Sequence, residues 1–293
     1  MNFVKLENDA FIAKIALHGA ELKMLQSKNT GRNYIYDGTG SWKRSSPVLF
    51  PNIGGLAEEV YLYEGEEYPA PAHGFARDMD FVLVEQSATK AVLSLESGEK
   101  TKIYFPFDFE LRIIYTLAET GIRITWQVEN NDTRTMYFSI GAHPGFQLLP
   151  KTGLSDYVLR FDSITKIETR RVVGRYLTQE KELLVDACDA FPLSPSKLER
   201  DAIILEDTGV SKISLVAPRH NYHLWIEFPD FPVVAVWTDP HTVQSAQFIC
   251  LEPWCGINDL CGDTKKEISE KARVNALEEK AAFERSYTIG VQE

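Results

Sequence analysis

Short runs in which apolar and polar residues alternate dominate this chain, and they predict β-strands. The clearest is residues 122–128, Ile-Arg-Ile-Thr-Trp-Gln-Val, which stops at the turn-forming Asn-Asn-Asp of residues 130–132. About twenty such runs, with turn signals roughly every 8–12 residues, are typical of an all-β sandwich or barrel. The pattern therefore predicts an all-β protein.

Four segments interrupt this pattern. Residues 42–55 contain two prolines and a Gly-Gly pair, which predict an irregular binding loop. Residues 186–201 are rich in Pro, Ser and Asp and predict another loop. Residues 265–272 and 277–283 are the two places where a short helix is expected. No linker or repeat divides the chain, so residues 1–293 are predicted to form a single domain.

Charge and composition narrow the classes of partner. A formal net charge of −11 over 293 residues argues against nucleic-acid binding, which needs a basic surface. No apolar run approaches the roughly 20 residues that span a bilayer, and no signal peptide is visible. The four cysteines form no CxxC pair and, without a matching cluster of His and Cys, indicate free thiols rather than a metal site. These features predict a cytoplasmic protein with no membrane partner and no metal.

Two strand ends carry the candidate chemistry. Residues 136–142 alternate as a strand that leads to His143, and residues 248–251 lead in the same way to Glu252. Each ionisable residue precedes a proline, which disfavours the α region for the residue before it and holds that residue extended. A lone histidine at a strand end is commonly a buried structural residue. Two strand ends of the same design instead favour an acid and a base on rigid supports.

Five short motifs occur in an order that resembles a known family. They are Pro-Val-Leu-Phe-Pro-Asn-Ile-Gly at 47–54, His-Gly-Phe-Ala-Arg at 73–77, Gly-Ala-His-Pro-Gly-Phe-Gln at 141–147, Val-Trp-Thr-Asp at 236–239 and Cys-Leu-Glu-Pro-Trp at 250–254. Each motif is weak alone, but the ordered set resembles the aldose 1-epimerase (galactose mutarotase-like) family, in particular its LacX-type branch. The resemblance covers essentially the whole chain and implies a large antiparallel β super-sandwich with a sugar cleft.

The resemblance also implies roles for particular residues. Glu252 would be the general base and His143 the general acid. His73 would help to bind the sugar ring or its oxygens with Arg77 beside it, and Asp201 would hold sugar hydroxyls. The carboxylate is expected to favour the imidazolium form of His143 over the opposing effect of burial.

Two tryptophans and one loop leave questions open. Trp237 and Trp254 lie near the motifs and either stack on the apolar face of a sugar or pack in the core. Many relatives place an arginine near the glycine pair at 54–55, where this chain has Gly-Gly-Leu-Ala. The cleft is therefore expected to rely on Arg77 alone or on Arg44.

The implied activity is that of an isomerase that interconverts the α and β anomers of a hexose by acid–base ring opening, without a cofactor. Its partner would be a small-molecule sugar. Two alternatives stay open, a hexose-6-phosphate mutarotase and a non-catalytic carbohydrate-binding protein. A glycosidase is disfavoured, because it usually needs two carboxylates and the sequence offers one well-placed candidate. The sequence leaves the sugar and the oligomeric state open.

Overall fold

The computed structural model describes residues 2–293. Strands account for 52% of the chain and helices for 9%, so the all-β prediction is confirmed. In chain order the strands are β1 (Phe3–Glu7), β2 (Phe11–Ala16), β3 (Leu22–Ser27), β4 (Val48–Leu49), β5 (Val60–Tyr63), β6 (Glu66–Pro69), β7 (Val82–Gln86), β8 (Lys90–Glu96), β9 (Phe109–Ala118), β10 (Gly121–Asn130), β11 (Met136–Phe138), β12 (Ile140–Ala142), β13 (Gly145–Gln147), β14 (Val158–Val173), β15 (Tyr176–Pro192), β16 (Ile203–Glu206), β17 (Lys212–Ala217), β18 (Tyr222–Glu227), β19 (Val233–Trp237), β20 (Phe248–Cys255), β21 (Asn275–Leu277) and β22 (Ala282–Gln292).

The remaining regular structure is short. It consists of the helices α1 (Glu99–Lys102) and α2 (Pro195–Leu198) and 3₁₀ turns at Ala57–Glu59, Ala76–Asp78, Leu154–Asp156, Pro240–Ser245 and Ile268–Glu270. Within residues 2–293, no helix is long and apolar enough to cross a membrane.

Two large sheets organise the fold, and the ladders between named strands are antiparallel. One sheet has nine strands in the order β15-β14-β17-β18-β22-β10-β9-β8-β7. The other has six, in the order β16-β19-β20-β12-β4 with β13 also paired to β20. Buried side chains from both sheets belong to one continuous core, and the single domain over residues 1–293 stays a prediction.

The alternation along β10 shows how the sequence builds this core. Ile122, Ile124, Trp126 and Val128 are almost fully buried, whereas the residues between them are partly or fully exposed. Successive side chains of a strand point to opposite faces, so the four share the core face. Burying each such side chain contributes roughly 1.5–3 kcal/mol to folding.

Strand β20 departs from that pattern because both of its faces are buried. Ile249 and Leu251 point into the main core. Glu252, two positions from Cys250, therefore lies on the opposite face, which is covered by loops and by the tip of the β14–β15 hairpin. This second buried face of the six-stranded sheet holds the candidate site.

The predicted strand at 136–142 divides in the structure. β11 pairs with β21, whereas β12 pairs with β20 and β4. The break falls at Ser139, whose backbone N–H donates to the carbonyl of Pro51 (2.7 Å). The chain changes sheets at this residue, which local alternation cannot indicate.

Tertiary pairing also overrides three local predictions. The predicted loop at 186–201 is instead the end of β15 followed by α2, and most of its polar side chains are exposed or half-buried. The predicted helix at 265–272 is reduced to the 3₁₀ turn Ile268–Glu270. The helix predicted at 277–283 is wrong, because the chain there passes from β21 through a turn into β22, which pairs with β10.

The β14–β15 hairpin carries the chain from one sheet to the other. The start of β14 pairs with β17 in the nine-stranded sheet, and register shifts then turn the rest of the hairpin away. Its outer half is fixed to the six-stranded side, where Ile204 N–H donates to Thr169 Oγ1 (2.7 Å) and Leu177 N–H donates to the carbonyl of Asp259 (2.9 Å). The hairpin tip thereby forms a fixed wall beside β20.

Candidate active site

A cavity of about 330 Å³ lies between the outer face of the six-stranded sheet and the hairpin tip. All seven residues that the sequence nominated line it, namely His73, Arg77, His143, Asp201, Trp237, Glu252 and Trp254. The structure thus brings together residues separated by up to 181 positions in the chain. Their proposed roles stay predictions.

Glu252 and His143 form the floor of the cavity. The His143 Nε2 and Glu252 Oε2 atoms are 3.3 Å apart, and both residues are buried. The backbone N–H of His143 donates to the carbonyl of Pro47 (3.2 Å), and the backbone N–H of Leu251 donates to the carbonyl of Pro144 (3.4 Å). The carbonyls of Pro47 and Pro144 thus hold these extended segments together, and only a small movement separates the two side chains from a hydrogen bond that could pass a proton.

Three rings enclose the imidazole of His143. Trp42 stacks on it at 4.9 Å between ring centroids, and the rings of Trp237 and His73 approach edge-on at 5.4 and 5.7 Å. Trp42 was not among the predicted site residues, although this residue lies in the irregular segment predicted as a binding loop. These contacts fix the ring plane of His143 and shield it from water.

The glycines around His143 accommodate indole rings. A Cβ at Gly141 would lie 2.6 Å from Trp254, and a Cβ at Gly145 would lie 2.8 Å from Trp42. Trp254 is itself buried, and its indole N–H donates to the carbonyl of Ala142 (3.2 Å). Trp254 therefore packs in the structure and presents only an edge to the cavity.

Burial controls the protonation of the catalytic candidates. Burial raises the pKa of Glu252 well above its ordinary value, and the charge of Asp201 adds to the effect. Burial also lowers the pKa of His143 well below its ordinary value. The expectation that the carboxylate would keep the imidazole charged is therefore wrong. Trp42 and Trp237 pack against the ring and desolvate it, which disfavours the imidazolium form.

Two atoms of this pair lack hydrogen bonds. His143 Nδ1 and Glu252 Oε2 are buried and have no hydrogen-bond partner among the described residues. The 3.3 Å contact of Glu252 Oε2 is with His143 Nε2, and it lacks hydrogen-bond geometry. Buried polar atoms without partners are costly, so these two are poised to interact with a ligand.

His73 is held as a neutral hydrogen-bond donor. Its backbone has a positive φ of 67°, and its Nδ1 accepts the N–H of Gly54 (3.2 Å). Burial, with Arg77 and Arg44 nearby, lowers its pKa to about 3. With Nδ1 accepting, the hydrogen resides on Nε2, which can donate to an oxygen of a ligand.

Asp201 and Arg77 add opposite charges to the cavity wall. Asp201 has a φ of 83°, which is uncommon for a residue other than glycine, and burial raises its pKa. The Arg77 Nη2 donates to the carbonyl of Ala72 (2.7 Å), while its buried Nε has no hydrogen-bond partner among the described residues and lies 3.8 Å from Asp78 Oδ2. Arg44 instead pairs with Asp78 at 2.6 Å and does not line the cavity.

Arg175, at the tip of the β14–β15 hairpin, is the cation that sequence reasoning missed. It lines the cavity opposite the glycine pair and forms an ion pair with Glu59. Asn258 Nδ2 donates to its carbonyl oxygen (2.9 Å). The glycine at position 55 was the one sequence feature that indicated a close neighbour. Arg175 occupies the space that a side chain at position 55 would need.

Replacing Gly55 with alanine is expected to destabilise the protein. The new Cβ would lie 2.5 Å from the Cβ of Arg175 and 2.8 Å from its carbonyl oxygen, so the hairpin tip must move. Such overpacking costs about 1–3 kcal/mol, which a lower melting temperature would reveal. Gly153→Ala is the control, since a Cβ there meets open space. Equal melting temperatures for the two variants would contradict the tight contact.

Comparison with known proteins identifies a family for this chain. A sequence model of the aldose 1-epimerase family matches residues 2–269, and the chain belongs to that family. The plasmid-encoded protein LacX of Lactococcus lactis subsp. lactis is 28% identical over 267 residues, covering 87% of this chain and 88% of that protein.

Solved structures agree with this assignment. A galactose mutarotase-like protein from Lactobacillus casei superposes with a TM-score of 0.93 at 28% identity, covering 99% of this chain and 100% of that one. A galactose mutarotase related enzyme from Lactobacillus acidophilus also reaches 0.93, at 27% identity, over 100% and 98% of the two chains. The predicted family and its antiparallel β super-sandwich are both confirmed.

Proposed function

We propose that this protein is an aldose 1-epimerase that interconverts the α and β anomers of a hexose. The observation that carries the proposal is the buried pair of Glu252 and His143 on the floor of the cavity. The volume of about 330 Å³ is at the small end of ligand pockets, which suits a small polar substrate. The cytoplasmic location is part of the same proposal.

In this mechanism the buried pair shares a single proton, which resides on His143 when the sugar reacts. Glu252 then accepts the proton of the C1 hydroxyl while His143 donates its proton to the ring oxygen. The bond between C1 and the ring oxygen breaks, which leaves an open-chain aldehyde. Rotation about the C1–C2 bond presents the other face, and reversed proton transfers close the ring. Each proton transfer typically contributes 10²–10⁴-fold, and the C1–oxygen bond breaks and re-forms without any oxidant or reductant, so the reaction as proposed requires no cofactor.

The cavity walls would position the sugar for these transfers. The Nε2–H of His73 and the guanidinium of Arg77 are available to ring and hydroxyl oxygens, and Asp201 can accept from hydroxyls on another side. Trp237 is partly exposed and offers an apolar surface for the sugar ring.

Polarimetry tests the proposal directly. A freshly dissolved α-anomer of glucose or galactose should reach rotational equilibrium faster with the protein than without it. Acceleration of neither sugar nor its 6-phosphate, together with binding of one of them, would instead establish the non-catalytic carbohydrate-binding alternative.

One observation favours a second substrate class, the hexose phosphates. Arg77 and Arg175 both line the cavity of a protein with a net charge of −11, and they are two cations that could contact a phosphate there. An anionic substrate approaching an acidic protein needs such a local cluster. Arginine also suits phosphate, because its planar fork binds two oxygens at once.

If the substrate is phosphorylated, Arg175→Gln and Arg77→Lys should each raise KM for the 6-phosphate roughly 10- to 100-fold, as expected for loss of a charged hydrogen bond. KM for the free sugar should change much less. Arg160→Gln, an exposed arginine on the same hairpin, is the matched control. Equal effects on both substrates would argue against phosphate recognition by these arginines.

A further inference from the structure

Beside the catalytic pair lies a third potential ligand atom that the proposed proton transfers do not use. Cys250 and Glu252 are two positions apart on β20 and therefore share its outer face. The thiol of Cys250, one ring nitrogen of His143 and one carboxylate oxygen of Glu252 all lie within 4.8 Å of one another. In the part of the chain that the structure describes, no other set of His, Cys, Asp or Glu side chains was found at such spacing.

We propose that His143, Cys250 and Glu252 form a binding site for a borderline-soft divalent cation, foremost Zn²⁺. A nitrogen, a sulfur and an oxygen donor are the ligand types that zinc prefers, whereas Mg²⁺ and Ca²⁺ prefer oxygen alone. Three protein ligands leave the fourth tetrahedral position open to the cavity, where water or a sugar hydroxyl can enter.

An unpaired atom of the site supports this proposal independently of the cysteine. Glu252 is only 1% exposed, and its Oε2 has no hydrogen-bond partner among residues 2–293. This oxygen lies 3.3 Å from His143 Nε2. The site therefore already contains a desolvated donor atom whose cost a bound cation would offset.

The geometry requires a modest contraction. Zinc bonds of about 2.3 Å to sulfur and 2.0–2.2 Å to nitrogen and oxygen place tetrahedral ligand atoms roughly 3.5 Å apart. The three atoms, now within 4.8 Å of one another, must therefore approach by up to about 1.3 Å. The Cys250 thiol binds as a thiolate, and its proton is released to solvent when the sulfur–zinc bond forms.

Occupation of the site would block the proposed reaction, an effect that rests on the proposed function. A cation bound to Glu252 and His143 occupies the oxygen that accepts the proton and the ring nitrogen that carries the proton to be donated. The bound metal should therefore inhibit the reaction. Metal binding itself does not depend on the activity.

Cobalt(II) is the probe that separates these two claims. Titrating the metal-free protein with Co²⁺ should produce a thiolate-to-cobalt charge-transfer band that saturates at one equivalent of Co²⁺. Adding Zn²⁺ should then remove the band. Cys250→Ala and Cys250→Ser should both lose this band, and circular dichroism would show that they remain folded. Cys255→Ala, which removes a buried thiol on the core face of the same strand, should keep it.

Inhibition completes the test. Zn²⁺ should slow mutarotation by the wild type, and at least tenfold more Zn²⁺ should be needed to halve the rate of the folded Cys250 variants, each compared with its own metal-free rate. Retention of the cobalt band in those variants, or its absence in the wild type, would overturn the metal site. A cobalt band with no mutarotation of any sugar would overturn the proposed function and leave the metal site standing.

Discussion

Replacing Glu252 with glutamine is expected to lower kcat by roughly 10²–10⁴ and to leave the protein at least as stable as the wild type at neutral pH. The loss of activity follows from the proposed role, because the amide cannot accept the proton of the C1 hydroxyl. Polarimetry of a fresh α-anomer solution measures it. A kcat within threefold of wild type would remove Glu252 from the mechanism.

The stability follows from the raised pKa of Glu252. When a carboxyl has a higher pKa in the folded state than in the unfolded state, the folded state binds more protons between the two values. Stability then falls as the pH rises from the unfolded value of about 4.5 through the folded one. Glutamine removes this cost, so the stabilisation should be present at pH 7 and fade towards pH 4.

Glu110→Gln is the matched control with the opposite sign. Burial of Glu110 is outweighed by hydrogen bonds from Ser94 and Arg112, and the pKa of Glu110 is lowered. Its glutamine variant should keep full activity and melt at a slightly lower temperature at pH 7. If Glu252→Gln also melts lower, the buried carboxyl group stabilises the fold, contrary to this argument.

The residues that sequence reasoning found share a property: their placement depends on local rules. His143 and Glu252 each follow an alternating strand and precede a proline, and both rules act within a few residues. Strand β10 was predicted for the same reason. Local rules of this kind predict that a strand forms and which side chains share a face, without any knowledge of what packs against that face.

What sequence reasoning missed depends on distant contacts. Arg175 reaches the cavity only because register shifts in β14 redirect a long hairpin. The helix expected at 277–283 gave way to pairing between β22 and β10. The protonation of His143 was mispredicted because Trp42, far away in the chain, covers its ring. Each outcome is decided by a partner that no local pattern specifies.

Replacing His143 with glutamine is expected to lower kcat/KM by roughly 10²–10⁴ near neutral pH and to change the shape of its pH profile. In the wild type the pair works with a single shared proton. A second proton binds only in acid, because burial lowers the pKa of His143. The single proton is lost only in alkali, because burial raises the pKa of Glu252. Activity should therefore fall in acid through His143 and in alkali through Glu252.

In the His143→Gln variant, kcat/KM should rise with pH in the alkaline range, where that of the wild type falls. Without the imidazole, the form that carries one proton is a neutral carboxylic acid, which cannot act as a base. Activity must then rise as Glu252 ionises, over the same pH range in which the wild type declines. The profiles of kcat/KM, which report the free enzyme, should thus converge at high pH.

The control is His220→Gln, an exposed histidine outside the cavity, which should reproduce the wild-type profile. A slowed proton transfer in deuterium oxide would show that chemistry limits the rate. If the residual activity of His143→Gln instead rises near the ordinary carboxyl pKa of about 4.3 and is flat above it, the pKa of Glu252 is not raised. Burial would then not control this pair, and the wild-type alkaline limb would belong to the imidazolium of His143.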